Sequence, residues 1–208
     1  LSQDPGASTQ LSVTRAYWML VRSGSITLKQ YLCPSSNDVE DETENVELYY
    51  DFRCYENISY GYQVPFGPRS TQPHEGMDNR MALAADKGPW YVATATTWES
   101  SEQSTTDTMV TLEDSPKAWR PYNSPNHADE GQNVLFADGH ATFARIPAVG
   151  IDHDNIYTKI LFDWDDPRAF NLIHGELPGE FETAPYPGQF ALGDTSNDYA
   201  ATDSLIYP

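Results

Sequence analysis

Residues 133–144 read Asn133-Val134-Leu135-Phe136-Ala137-Asp138-Gly139-His140-Ala141-Thr142-Phe143-Ala144. Two apolar runs flank an Asp-Gly pair, a pair favoured in tight hairpin turns because both residues tolerate positive φ. A two-residue turn at Asp138-Gly139 sets Ala137 opposite His140, Phe136 opposite Ala141 and Val134 opposite Phe143. Val134, Phe136, Ala141 and Phe143 then share the buried face, while Leu135 and Thr142 share the other. The stretch predicts an antiparallel sheet.

Working outward, 59–62, 81–85 and 90–97 read as further strands or buried segments, and Val46 to Phe52 as a strand in an acidic surround. The segment 35–56 holds eight acids and one Arg. Near the N-terminus, Ser8, Thr9 or Ser12 is expected to cap a helix that runs through Arg22 and stops at Gly24. Its apolar stripe is Leu11, Val13, Ala16, Tyr17, Leu20 and Val21, with Trp18 and Met19 to one side. Residues 26–31 read as a short helical turn or an extended linker. Segments 66–79, 99–114 and 116–125 are loop by composition. Residues 156–162 form a last apolar segment. The chain resolves into a single α+β globular domain, 1–174, with a helix packed on an antiparallel sheet and long loops. A Pro/Gly-rich irregular segment, 175–208, is expected to pack on the body or at an interface.

The composition narrows the function. With 31 acidic and 12 basic side chains in 208 residues, the formal charge is −19. That excludes a phosphate backbone as partner, which needs a basic footprint, and disfavours an anionic membrane surface. No apolar run approaches the roughly 20 residues that span a bilayer. The chain begins at Leu1, as expected of a processed or trimmed product whose preceding segment carried targeting or anchoring information. Four lysines among many Tyr, Trp, Thr and Ser residues are a mix common outside the cytoplasm.

Several groups offer chemistry. Cys33 and Cys54 either close a 22-residue disulfide loop, with roughly 3 kcal/mol of stabilisation, or stand as separate thiols. His127, Asp138 and His140, with His153 nearby, read either as structural residues of the hairpin and its approach or as metal ligands of a hydrolase. Asp152, Asp154, Asp163 and Asp165 read either as solvated charge or as oxygen ligands for calcium, without the closing Glu of an EF-hand loop. Glu176, Glu180 and Glu182 sit in the irregular segment, a poor scaffold for paired catalytic carboxylates. The cluster Tyr49, Tyr50, Tyr55, Tyr60 and Tyr62 and the scattered Trp90, Trp98, Trp119 and Trp164 plug a small core, or stack on sugars in an extracellular binding module. Asn57-Ile58-Ser59 matches the N-glycosylation pattern. No glycine-rich phosphate cradle and no Gly-x-Ser-x-Gly elbow is present.

The run Asn126-His127, followed by Gly131-Gln132-Asn133-Val134-Leu135-Phe136-Ala137-Asp138-Gly139-His140, resembles the signature of the bacterial prepilin-type processing-associated H-X9-DG family. His127, Asp138 and Gly139 match its motif, with ten residues rather than nine between His127 and Asp138. Tyr31-Leu32-Cys33-Pro34-Ser35 resembles the family's Cys-Pro-Ser segment. Ser59-Tyr60-Gly61 and Ala85-Asp86-Lys87-Gly88-Pro89 fall where it has Ser-Tyr and Ala-Asp elements. The resemblance implies a pilin-like or type II secretion pseudopilin-like head, anchored in the membrane only through an N-terminal helix that is missing here. It implies a structural, non-enzymatic role in the periplasm, cell envelope or cell surface, with copies of the chain or secretion and pilus components as partners. It carries over no catalytic residue. Calcium in a C-terminal loop is common among major pseudopilins, so the resemblance adds to the expectation of calcium at 152–166.

Overall fold

The computed structural model describes residues 10–65, 72–89, 91–93, 98–100, 110–161, 171–176, 189–191 and 204–207. In chain order the strands are β1 (Gln10–Ser12), β2 (Tyr60–Gln63), β3 (Ala82–Asp86), β4 (Tyr91–Ala93), β5 (Trp98–Ser100), β6 (Gln132–Phe136), β7 (Ala141–Ala144), β8 (Lys159–Leu161), β9 (Asn171–Glu176), β10 (Gln189–Ala191) and β11 (Ile206–Tyr207). The α-helix among the described residues is α1 (Arg15–Arg22). The central sheet has the order β11-β2-β3-β6-β7, with every neighbour antiparallel. Two-stranded ladders join β1 to β10, β4 to β5 and β8 to β9. The α+β class stands. No helix among the described residues is long and apolar enough to cross a membrane.

The hairpin at Asp138-Gly139 forms, but in a register one residue away from the expected one. Val134 faces Thr142, Leu135 faces Ala141 and Asn133 faces Phe143. The turn is a three-residue loop: Phe136 N–H donates to His140 O at 2.9 Å and Gly139 N–H donates to Phe136 O at 2.9 Å. Gly139 takes the left-handed conformation (φ 87°), and Asp138 does not. Asp138 instead accepts the His140 backbone N–H through its side chain at 3.0 Å. A longer loop with one left-handed glycine is the next most common hairpin after the two-residue type. Because side chains alternate along a strand, the slip moves Phe143 to the opposite face. Val134 and Phe136 are buried, as expected, whereas Phe143 is 47% exposed and Ala141 is exposed.

The main core lies on the Val134 face. Val134, Phe136, Ala82 and Ala85 pack with Trp119, Tyr122, Ile156, Tyr157, Leu205 and Ile206. The second cluster belongs to α1. The helix starts at Arg15, so Leu11 and Val13 precede it and its apolar face rotates: Trp18 and Val21 are buried, while Met19 and Leu20 point outward. Trp18 packs edge-on to Phe52, with centroids 5.1 Å apart, and its indole N–H donates to Tyr49 O at 2.7 Å. Gly24 ends the helix at φ 72°. Val46 to Phe52, expected as a strand, holds a 3₁₀ turn at Val46–Leu48, and its carbonyls serve Trp18 rather than a sheet. Leu28–Tyr31 is the short helical turn foreseen near there. Of the 175–208 segment, expected to be irregular, Gln189–Ala191 and Ile206–Tyr207 are strands, and the latter closes one edge of the central sheet.

Candidate functional site

The end of β3 carries a polar interior. Asp86, its last residue, is fully buried. On the pleat of the sheet opposite the main core, Asp86 shares a face with Tyr60 of β2 and Asn133 of β6. Cys33 arrives from the segment after the Leu28–Tyr31 turn, and His127 ends a 3₁₀ turn over Pro125–His127. The sequence explains that turn locally: Ser124 Oγ accepts the Asn126 N–H at 3.2 Å, Pro125 starts the turn, and Ala128 leaves it in the left-handed region at φ 53°.

Asp86 Oδ2 accepts the Asn133 backbone N–H at 2.6 Å and the Asn133 side-chain amide at 3.1 Å, and lies 3.0 Å from His127 Nε2. Asp86 Oδ1 accepts from Asn126 Nδ2 at 3.1 Å. Cys33 Sγ is 3.6 Å from His127 Nε2, and Asn133 Nδ2 is 3.0 Å from that same nitrogen. Phe143, displaced to this face by the register, sets its ring edge-on to His127 at 5.5 Å. Among the described residues, the group of three ligand-type side chains whose donor atoms lie within 4.8 Å of one another is Cys33, Asp86 and His127.

A second buried network adjoins it. Lys87 Nζ is paired with the Asp38 carboxylate, lies within 3.4 Å of Tyr55 O and 3.3 Å of Ile58 O, and sits 4.0 Å over the Tyr55 ring. Burial pulls the Lys87 ammonium below its ordinary pKa, against the pull of Asp38. Ser59 Oγ donates to Asp38 Oδ2 at 2.5 Å and meets Ser36 Oγ at 3.1 Å. Ser59 O accepts from Asn126 Nδ2 at 2.7 Å, which ties the two networks together. Burial raises the Tyr60 phenol to about 12, with Cys33 and Asp86 adding to the shift.

The arrangement has a definite chemical reading. A nucleophile–base–orienter relay needs the nucleophile and the orienting carboxylate on opposite nitrogens of the imidazole, so that a proton can pass through the ring. Here thiol, carboxylate and amide all meet Nε2, which is the geometry of convergent ligation or of a fold-locking knot.

The expected sites fare differently. His127 belongs to this cluster, but Asp138 and His140 do not join it. They pair with each other at the hairpin tip, 2.5 Å apart, and the His140 ring stacks on Phe136 at 4.5 Å. His153 is exposed, so the hydrolase constellation does not assemble. Cys33 and Cys54 are separate thiols rather than a disulfide, because each is drawn into a different contact. Cys33 turns inward to His127, and Cys54 donates to Asn57 Oδ1 at 3.0 Å. Of the calcium set, Asp152 is exposed, and Asp154 is buried with its Oδ2 accepting the Ser204 N–H at 2.8 Å. Asp163 and Asp165 lie outside the described residues. Of the aromatic set, Tyr55 and Trp119 are buried and plug the core, Tyr49, Tyr50, Tyr60 and Tyr62 are half-buried, and Trp90, Trp164 and the Trp98 side chain lie outside the described residues. The partners Asp38, Asp86, Lys87, Asn126 and Asn133 had no assigned role in the sequence. The available signal was an Asp-Lys pair directly after an apolar strand in a chain with four lysines.

No family model, no curated protein and no solved structure matches the chain.

Proposed function

We propose that the chain is the globular head of a pilin-like or pseudopilin-like protein of the cell envelope, acting outside the cytoplasm by assembly with copies of itself or with secretion components. One observation carries this reading. The separate sequence segments that suggested the H-X9-DG resemblance meet in space: the buried Cys33, Ser59, Asp86 and Lys87, the half-buried His127 and the exposed Asn133 belong to one connected network. Segments spread over about half of the chain have no local reason to share a network, so their meeting supports the view that the resemblance picks out one structural unit. The hydrogen-bonded closure of this network suits a rigid head. Assembly would then use the apolar surface that the fold leaves outside, where Met19 is 65% exposed and Leu20 and Phe143 are also outward.

A head of charge −19 repels its copies, and ions shorten that repulsion to about 8–10 Å near physiological ionic strength. Sedimentation velocity across a salt series, with and without calcium, tests the proposal. Association should rise with ionic strength and with calcium, and Met19→Glu with Leu20→Glu should weaken it. A chain that stays monomeric at every salt and calcium concentration refutes self-assembly.

A further inference from the structure

We propose that Cys33, Asp86 and His127 form a binding site for a single transition-metal ion of the zinc class. The inference does not depend on the assembly reading. The three donors are sulfur, oxygen and nitrogen from three separate segments, and they lie within 4.8 Å of one another. A tetrahedral zinc ion with ligands at about 2.0–2.3 Å sets sulfur and nitrogen about 3.5 Å apart and nitrogen and oxygen about 3.3 Å apart. The observed separations are 3.6 Å for Cys33 Sγ to His127 Nε2 and 3.0 Å for His127 Nε2 to Asp86 Oδ2. Two of the three edges are thus close to those of one coordination polyhedron, and the third, between Cys33 and Asp86, lies within 4.8 Å.

Hydrogen bonding alone leaves a conflict at this point. His127 Nε2 carries either a proton or a lone pair. With the proton it donates to Asp86 Oδ2 together with the Asn133 amide, which sets two N–H donors 3.0 Å apart on one oxygen. With the lone pair it accepts from Asn133 but faces the carboxylate without a hydrogen between them. A cation on Nε2 removes the conflict. It takes the lone pair and the carboxylate charge, and the Asn133 amide then serves Asp86 Oδ2 alone, at 3.1 Å. The carboxylate is meanwhile oriented by Asn126 Nδ2 on Oδ1 and by the Asn133 backbone N–H on Oδ2, as metal-binding carboxylates commonly are. Thiolate and imidazole are soft or borderline ligands that select zinc-like ions over calcium and magnesium. The His127 side chain is 21% exposed, which leaves a solvent side for a fourth ligand. Binding releases the thiol proton, and any proton on Nε2, to solvent.

Titration of the metal-free chain with Co2+, followed by displacement with Zn2+, tests the site. One equivalent of Co2+ should give the visible bands of four-coordinate cobalt and a near-ultraviolet thiolate charge-transfer band, and Zn2+ should abolish both. Cys33→Ser should remove the charge-transfer band, His127→Gln should weaken affinity by at least about tenfold, and Cys54→Ser should change neither. Because Cys33 is buried, the substitution can disturb folding, so a measurement on the unaltered chain accompanies it. Zn2+ should protect Cys33, and not Cys54, from alkylation read by mass spectrometry. Absence of a thiolate band in the unaltered chain, survival of the band in a folded Cys33→Ser variant, or unchanged Cys33 alkylation in Zn2+ would overturn the proposal.

Discussion

Lys87 shows what a single residue does in this interior. Its ammonium is taken out of water, which costs several kcal/mol in general, and it persists because Asp38, two carbonyls and the Tyr55 ring surround it. Removing one partner of such a pair strands the other charge. Lys87→Met should therefore lower stability in urea denaturation by about 3–5 kcal/mol. The double variant Lys87→Met with Asp38→Asn should recover part of that loss. A double variant no more stable than the single one would show that the cost comes from packing rather than from the orphaned carboxylate. Gly131 is constrained for a different reason. At φ +152°, a Cβ there would stand 2.2 Å from Ala144 O, so the approach to the hairpin needs glycine. Both residues lie in segments singled out in the sequence, yet their partners lie at least a dozen residues away, 29 to 49 for Lys87, and leave no local trace.

The hairpin is the element whose existence was legible and whose register was not. Asp-Gly between apolar runs announces a turn, but two-residue and three-residue loops use the same pair and differ by one position in every cross-strand partner. The slip exposes Phe143 and leaves Val134 and Phe136 inside. Phe136→Ala should cost about 3–5 kcal/mol, as for a buried aromatic, and Phe143→Ala should change stability by less than about 1 kcal/mol. Thermal denaturation of the two variants checks this, and the opposite ranking would restore the two-residue register. The helix offers a parallel case. A stripe drawn through Leu11 and Val13 assumed a start before them, whereas α1 starts at Arg15. Eight residues form a marginal helix in isolation. Trp18, locked against Phe52 and two carbonyls, decides which face turns inward.

At the scale of the whole molecule, burial of phenols links stability to alkaline pH. Burial raises the pKa of Tyr17, Tyr31, Tyr60, Tyr62 and Tyr157 above the ordinary value of 10.0, with Tyr31 and Tyr60 reaching about 12. In the unfolded chain these phenols lose their protons near their ordinary pKa, while the folded chain keeps them. Their contribution is thus fully present below pH 10 and is lost as pH rises towards 12. Lys87 acts in the opposite sense, since its lowered pKa lets stability rise with pH below its ordinary 10.5, but it is one group against these five phenols and Tyr122, which burial also raises. The melting temperature should fall between pH 10 and 12, with tyrosinate absorbance rising together with unfolding. Tyrosinate that forms fully before unfolding would contradict this burial.

Local chemistry determined the α+β class, the helix near the N-terminus and its stop at Gly24, the Ala82–Asp86 strand and the turn at Asp138-Gly139, because propensity, periodicity and turn residues act over a few positions. Tertiary structure decided the hairpin register, the use of Ile206–Tyr207 as an edge strand, the separation of Cys33 from Cys54 and the meeting of Cys33 with Asp86 and His127. Those outcomes depend on which distant side chains fill the space beside each other, a quantity set by packing and by the need to pair every buried charge.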